Sequence, residues 1–225
     1  MGKKHMPGIV AEHDTTAVLT RPRMDLRTQR TRMFVQNAFV DLAQRRGFDR
    51  VSVQAISEQA MINRTTFYRY YKDKYHLVEE VFKSALQRLA TDLGPPLIVR
   101  GIDDLNRALA DERITSAWAG LLEHFASNAR MYHQVLVGKG SAWFQARMRE
   151  DLMKFLKGRI VSRVEARDSD RIPSDAARCF YASAIVGFIY YWLTGSMKHS
   201  ASQMAHWFRI VAYKGYLTTI AGLRS

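Results

Sequence analysis

The stretch from Ser52 to Lys74, SVQAISEQAMINRTTFYRYYKDK, constrains this chain more than any other, because its apolar residues recur at helical spacing in two short runs parted by a turn. Ser52 is placed to cap the first run, and Val53, Ile56 and Ala60 then fall on one face that can seat a short helix on a core. Met61-Ile62 ends that helix, and Asn63 is a cap for the next. Beyond Asn63, the spacing predicts Arg64, Thr65, Thr66, Tyr68 and Arg69 near exposed N-terminal turns, with Phe67 and Tyr71 pointing inward. A duplex major groove admits one helix end, which must offer a guanidinium to guanine edges, hydroxyls or methyls to thymine and phosphate, and a phenol to the backbone. Arg64, Thr65, Thr66 and Tyr68 supply those groups. Asp73 reads as the cap of a following helix with Lys74 in its first turn, against the helix dipole preference, and a phosphate bound there would account for the lysine.

The flanks extend the pattern. Phe34, Ala38 and Leu42 repeat every four residues before Gly47-Phe48, so a third helix precedes the pair. Over Arg30 to Phe82, this order of Phe34, Ala38, Leu42, then Val53, Ile56, Ala60, then Thr66-Phe67-Tyr68, Tyr71, Lys72 and Lys74 resembles the TetR family of bacterial transcriptional regulators. The resemblance implies that Arg64, Thr65 and Tyr68 face base edges or the nearby backbone and that Thr66 and Lys74 contact phosphate. Ser52, Arg64, Thr65, Thr66, Tyr68, Arg69 and Lys74 form the candidate DNA-binding set. Two positions depart from the family: Met61 stands in the turn where Gly is common, and Tyr70-Tyr71 replace a His-Phe pair. A side chain tolerates positive φ poorly, so the turn is either strained at Met61 or reshaped.

Charge points the same way. The 225-residue chain has a formal net charge of +13, and Arg21 to Lys74 holds twelve Lys/Arg against five Asp/Glu. A chain that is 47% hydrophobic can build a core and still attract polyanions, and basic density peaks at the helical pair. An anionic membrane surface would also attract such a chain, so the alternative is a small-molecule or membrane-surface binding module without specific DNA recognition. Cys179 is the single cysteine; it rules out an intrachain disulfide, suits a reducing cytoplasm, and its setting, RCFYASAIVGF, suggests a buried small residue. The first twenty residues lack an apolar run long enough for a secretory signal. Cys179 to Leu193 falls short of the roughly 20 residues that span a bilayer, so a buried helix and no membrane partner are expected.

The spacing divides the chain into an arm over residues 1–25, a helix-turn-helix domain over 26–73, a connecting helix over 74–93 and a larger helical domain over 94–225. The arm is expected to be mobile, with Arg21, Arg23, Arg27 and Arg30 able to anchor it in a minor groove. In the connecting helix Leu77, Val81, Ala85 and Leu89 make one apolar stripe that Gly94-Pro95-Pro96 breaks. Further helices are expected at Asp103–Leu109, at Ile114–Asn128, through Tyr132 and Val135, and from a Ser141 cap through Trp143, Phe144, Met148, Leu152, Phe155, Ile160 and Val164. Two last helices, about Ser174–Thr194 and Ser202–Gly222, are joined by a short loop and expected to pack antiparallel.

These two helices carry small and large apolar residues side by side, namely Ala184, Gly187, Phe188, Tyr191 and Trp192, then Phe208, Val211, Ala212 and Gly215. Small residues permit close backbone approach, so this set is the candidate dimer interface. By the resemblance, the two helices from each subunit form a four-helix bundle, and a twofold axis sets paired recognition helices over half-sites roughly 34 to 36 Å apart in a palindromic operator. The resemblance also implies a ligand cavity in the larger domain, with Trp118, Leu122, Phe125, Trp143, Met148, Phe180, Tyr181 and Phe188 as candidate lining. His124 and Tyr132 add polar groups beside apolar faces.

Catalysis finds no support: the chain carries no Gly-rich phosphate loop, nucleophile elbow or HExxH. His199 and His206 are seven apart with no Cys or carboxylate pattern to complete a metal site, and no cofactor is implied. The reading is therefore an all-α, homodimeric, cytoplasmic transcriptional repressor released from its operator by a small-molecule effector.

Overall fold

In the computed structural model of the protein, residues 26–100, 102–138, 140–162, 173–213 and 215 are described. The expected arm over residues 1–25 and the end of the last expected helix lie outside them. The first helix, α1 (Leu26–Arg46), buries Val35, Ala38, Phe39, Leu42 and Ala43. Ala38 and Leu42 are buried as expected, but Phe34 is 54% exposed, and Val35, Phe39 and Ala43 complete the buried face in its place. A 3-10 turn (Phe48–Arg50) follows Gly47, whose φ of +84° is one that glycine reaches without strain.

Helices α2 (Val53–Gln59) and α3 (Arg64–Tyr70) pack against each other, and α2 rests on α1. Both caps form as the sequence dictates: Ser52 Oγ accepts from Ala55 N–H at 3.2 Å, and Asn63 Oδ1 accepts from Thr66 N–H at 2.7 Å. Between them Met61 has φ +52° and is 93% exposed, so the turn takes the left-handed conformation at a residue with a side chain. Helix α4 (Lys74–Leu93) starts at the Asp73 cap and ends at Gly94, whose φ of +69° stops it. Its buried row is wider than the expected stripe, adding Val78, Phe82 and Leu86 to Leu77, Val81, Ala85 and Leu89.

Four helices then follow: α5 (Ile102–Ala110), α6 (Glu112–Ser127), α7 (Ala129–Val137) and α8 (Ser141–Leu156). Gly140, not Ser141, is the cap position of α8, and no side chain caps it. This helix also stops earlier than expected. Gly158 adopts φ +79°, and the chain re-enters as β2 (Ile160–Ser162), which pairs in parallel with β1 (Leu97–Val99). A glycine in that conformation followed by β-branched Ile160 and Val161 favours extension over another helical turn.

Helix α9 (Ser174–Thr194) packs on α8 and α7, while α10 (Ala201–Phe208) packs chiefly on α6. The last two segments still run antiparallel as expected, with Trp192 bonded to the His199 carbonyl, Phe188 facing Phe208 at 6.2 Å and Tyr181 beside Gly215, although α10 itself makes most of its contacts with α6. A capping box, with Ser200 and Gln203 exchanging hydrogen bonds, starts α10, and it passes into a π turn (Arg209–Tyr213). At 21 residues, α9 is long and apolar enough to cross a bilayer by length and composition alone, but it sets Ala177, Tyr181, Ala182, Ile185, Val186, Ile189, Trp192 and Leu193 into the protein core. Cys179 is exposed on its other side, contrary to expectation.

Candidate nucleic-acid interface

Helix α3 divides its side chains sharply. Phe67 is fully buried and Tyr71, just past the helix, is 1% exposed, their rings 5.5 Å apart. Arg64, Thr65 and Arg69 are exposed, Tyr68 is half exposed, and Thr66 is half-buried. The Tyr68 ring stands edge-on to Phe67 at 5.5 Å, which braces the phenol while leaving its hydroxyl outward of the core. Ser52 is exposed beside them, its hydroxyl already engaged as the α2 cap. These positions form one surface of guanidinium, hydroxyl, methyl and phenol groups on a helix whose inner face is fixed by aromatic packing. Lys72 and Arg50 are also exposed, and neither belongs to the candidate DNA-binding set, Lys72 having entered only as part of the family pattern. Their signal was only charge, which many solvated faces share.

Lys74 stands apart from that surface. Its ammonium donates to the carbonyls of Phe48 at 3.0 Å and Asp49 at 3.1 Å, and lies 4.6 Å from the centre of the Phe48 ring. Burial pushes this lysine below its ordinary range, with Asp49 partly opposing. Two of its three donors are engaged inside the protein, so Lys74 fastens α4 to the 3-10 turn, with one donor left over for the phosphate contact that the resemblance implies.

The helix-turn-helix segment is tied to the rest of the chain at two places. Along α4, Arg32 pairs with Glu80 at 2.7 Å. At the C-terminal end of α1, Arg130 of α7 donates to the carbonyls of Gln44 and Arg45, both at 2.8 Å, and Gln134 Oε1 accepts from Phe48 N–H. Gln44 reaches back to the Ser127 carbonyl and, at 3.2 Å, to Asn128. Directly behind lies His124, whose Nε2 is 2.8 Å from Tyr132 Oη and whose Nδ1 is 3.2 Å from Arg88. Arg88 can only donate, so Nδ1 is the acceptor and the neutral ring carries its proton on Nε2, toward the tyrosine. Burial, aided by the Arg88 charge, pushes His124 down to about 4. Tyr132 is fully buried and its phenol is held far above its ordinary range by desolvation.

The candidate ligand-binding residues do not share one cavity wall. Leu122, Phe125, Tyr132 and Met148 are 0 to 3% exposed and packed in the core, with Phe125 and Tyr132 ring centres 4.4 Å apart. Trp143, 39% exposed, lines a separate hollow of about 520 Å³ with Tyr75, His76, Glu79 and Arg147, and Phe180 is 67% exposed. Tyr181 is buried and Phe188 half-buried against Phe208 at 6.2 Å. Trp118 instead lines a cleft of about 550 Å³ bounded by Leu93, Pro95, Pro96 and β1 on one side and by α5, α6 and the end of α8 on the other.

The candidate dimer residues also divide. Gly187, Tyr191 and Val211 are exposed, Tyr191 at 62% and Val211 at 76%, and Ala184 and Phe188 are half-buried. Exposed Phe180 and Ile210 belong to the same two segments. Trp192 and Phe208 are core instead: the Trp192 indole donates to the His199 carbonyl at 2.9 Å, and Phe208 packs on Trp118 at 4.4 Å. Gly215 is half-buried beside Tyr181, and the Ala212 side chain lies outside what is described.

Two family descriptions match the chain, "Bacterial regulatory proteins, tetR family" over residues 37–81 and "Transcriptional regulator C-terminal region" over residues 112–214. No curated protein sequence matches it significantly. Among solved structures, the dihydroxyacetone kinase operon activator DhaS is similar at a TM-score of 0.54 and 18% identity, covering 87% of this chain and 98% of its own. A TetR-family transcriptional regulator from Syntrophomonas wolfei is similar at 0.52 and 14%, covering 84% and 96%. Thermus thermophilus FadR, a repressor in complex with lauroyl-CoA, is similar at 0.51 and 16%, covering 86% and 96%. At these identities the likeness is one of fold.

Proposed function

The chain belongs to the tetR family of bacterial regulatory proteins, a family of DNA-binding transcriptional regulators, and from that premise we propose that it acts in the cytoplasm as a homodimeric repressor released from a palindromic operator by a small-molecule effector. The observation that carries this reading is the outer face of α3, where Arg64, Thr65, Tyr68 and Arg69 stand exposed over a buried aromatic pair. In the proposed complex, Arg64 and Tyr68 read base edges or the adjoining backbone, and Thr66 and the Ser52 end of α2 position the helix on phosphate. Two copies join through the exposed faces of α9 and the segment after α10, with Phe180, Gly187, Tyr191, Ile210 and Val211 at the contact.

Effector release requires the ligand to bind one spacing of the two recognition helices more tightly than the other, since only differential affinity moves an equilibrium. Helix α4 and the α7 contacts to α1 are the elements through which the larger domain can bias the smaller one. The similar fold of FadR, a repressor in complex with lauroyl-CoA, supports a repressor with a small-molecule effector.

Selection of preferred duplexes from a random DNA pool, with and without a metabolite extract, tests the whole reading. A palindrome enriched by about 10³ or more over random DNA, and lost with extract, is expected. Failure to enrich any sequence overturns DNA recognition, and enrichment of a single half-site by a monomer overturns the dimer. Phe180→Lys combined with Tyr191→Lys should leave the fold intact and give monomers in sedimentation; a dimer that persists would move the interface elsewhere.

A further inference from the structure

Helix α7 stands between the helix-turn-helix segment and α9, and it touches both. It buries Met131, Tyr132, Val135 and Leu136 in the larger domain. Its neighbour α9 carries Phe180, Gly187 and Tyr191, which belong to the proposed dimer contact. Any angle imposed on the DNA-reading head by α7 is therefore an angle relative to the twofold axis.

Arg130 and Gln134, four residues apart on one face of α7, make that connection. Arg130 Nη1 donates to the carbonyls of Gln44 and Arg45, both at 2.8 Å, and Gln134 Oε1 accepts from Phe48 N–H. Helix carbonyls point along the axis, so bonds to them fix the direction of α1 as well as its place. A Cβ on Gly47 would stand 2.7 Å from Gln134 Nε2, so the backbone lies directly against this amide. Gln44 returns the grip by donating to the Ser127 carbonyl and, at 3.2 Å, to Asn128 Oδ1 where α6 meets α7. Four residues beyond Phe48, Ser52 caps α2, on which the recognition helix α3 packs.

We propose that Arg130 and Gln134 are positioning residues for DNA recognition, and that by fixing the angle of each head to α9 they set which spacing of half-sites the protein accepts. The inference rests on the reading of the chain as a dimer on a palindromic operator. Each base pair inserted between two half-sites moves one from the other by about 3.4 Å and turns it by about 35°. A head held by α7 follows that turn only by breaking its bonds at Gln44, Arg45 and Phe48, whereas a released head follows freely. Preference for bases within a half-site is a separate property, because the groups that face them lie on α3.

Fluorescence anisotropy with the full chain tests this on duplexes that carry the selected half-sites at the preferred spacing, one base pair closer and one base pair farther apart. Wild type is expected to bind at least about tenfold more weakly at either altered spacing. Arg130→Gln combined with Gln134→Ala should bind the preferred spacing about threefold to tenfold more weakly, since its heads are no longer pre-oriented. The same variant should lose less than about threefold on either change of spacing and keep the wild-type ranking of single-base half-site variants. Gln134→Glu, which retains an acceptor for Phe48 N–H, should keep the wild-type spacing profile. Thermal melting checks folding, and Gln134→Ala alone, with an intermediate profile expected, carries the test if the double variant does not fold. A folded variant as strict about spacing as wild type overturns the inference. So does a variant that loses its base preference, which would mark a general loosening of the head, and so does a wild type indifferent to spacing. A wild type that selects no paired half-sites overturns the dimer reading and this inference with it, a result distinct from paired half-sites whose spacing the variants leave strict.

Discussion

His124 is expected to make the protein lose stability on mild acidification, in a window fixed by its surroundings. In the folded chain burial and the Arg88 charge hold its pKa near about 4, against an ordinary value of 6.5. Above pH 6.5 the ring is neutral in both folded and unfolded states, and its full stabilising contribution is present. As pH falls from 6.5 toward 4 the unfolded chain takes up a proton that the folded chain refuses, so stability declines; below 4 both states are protonated and the loss levels off. One pKa unit corresponds to about 1.36 kcal/mol, so between pH 7.5 and pH 4.5 the loss from this residue is about 2 kcal/mol. His124→Gln keeps an amide donor toward Tyr132 and removes the titration. Urea unfolding of both proteins at the two pH values cancels the groups they share. The expected result is a wild-type decline about 2 kcal/mol steeper than that of the variant. Parallel declines would refute the buried, arginine-facing neutral imidazole, and a steeper decline in the variant would mean that folding raises the His124 pKa instead of lowering it.

Three further outcomes follow from other sites. Arg64→Ala and Tyr68→Ala should each reduce discrimination between the preferred operator and its single-base variants by about 1 to 3 kcal/mol, read by competition binding; equal losses on all duplexes would remove these residues from base readout. Lys74→Ala should lower unfolding stability by about 1 to 2 kcal/mol through the lost carbonyl contacts and leave the salt dependence of DNA binding unchanged, whereas a shallower salt slope would place its third donor on phosphate. Met61→Gly should raise stability by about 1 kcal/mol, because a 93% exposed side chain is lost and a left-handed backbone is relieved; a lower melting temperature would mean that the methionine makes contacts worth more than its strain.

The parts of the fold visible in the sequence were those with one dominant pattern and clear stops. Lys74–Leu93 and Ser174–Thr194 form helices with the expected limits, the first bounded by Asp73 and Gly94. The caps at Ser52 and Asn63 were legible because short oxygen-bearing side chains have one obvious task there. Where two patterns competed, contact with the rest of the protein decided. In α1 both Phe34, Ala38, Leu42 and Val35, Phe39, Ala43 repeat every four residues, and only the surface offered by α2, α4 and α7 selects the face that buries Phe39 and leaves Phe34 out. At Gly158 the apolar period ran on through Ile160 and Val164, but the backbone turned into a strand because β1 offered it hydrogen bonds. Large residues beside small ones on α9 and α10 marked close packing without saying with what: Trp192 and Phe208 proved to be core, Tyr191 surface. The exposed face of α3 was legible from residue type, while the internal contacts of Lys74 depended on carbonyls 26 and 25 residues away.

The bonds of Arg130 to the end of α1 and of Gln134 to the 3-10 turn after it bear on how such a protein can be taken apart. The last carbonyls of a helix need partners, and here α1 finds one in a side chain about 85 positions downstream. A helix-turn-helix segment cut out at Gly94 would leave those groups to water and lose its fixed angle to the rest. Exchanging DNA-reading heads between this chain and a relative would therefore succeed only if α7 travelled with the head or carried an arginine and a glutamine at the same places. The contacts that hold the end of α1 thus run across the boundary suggested by chain order.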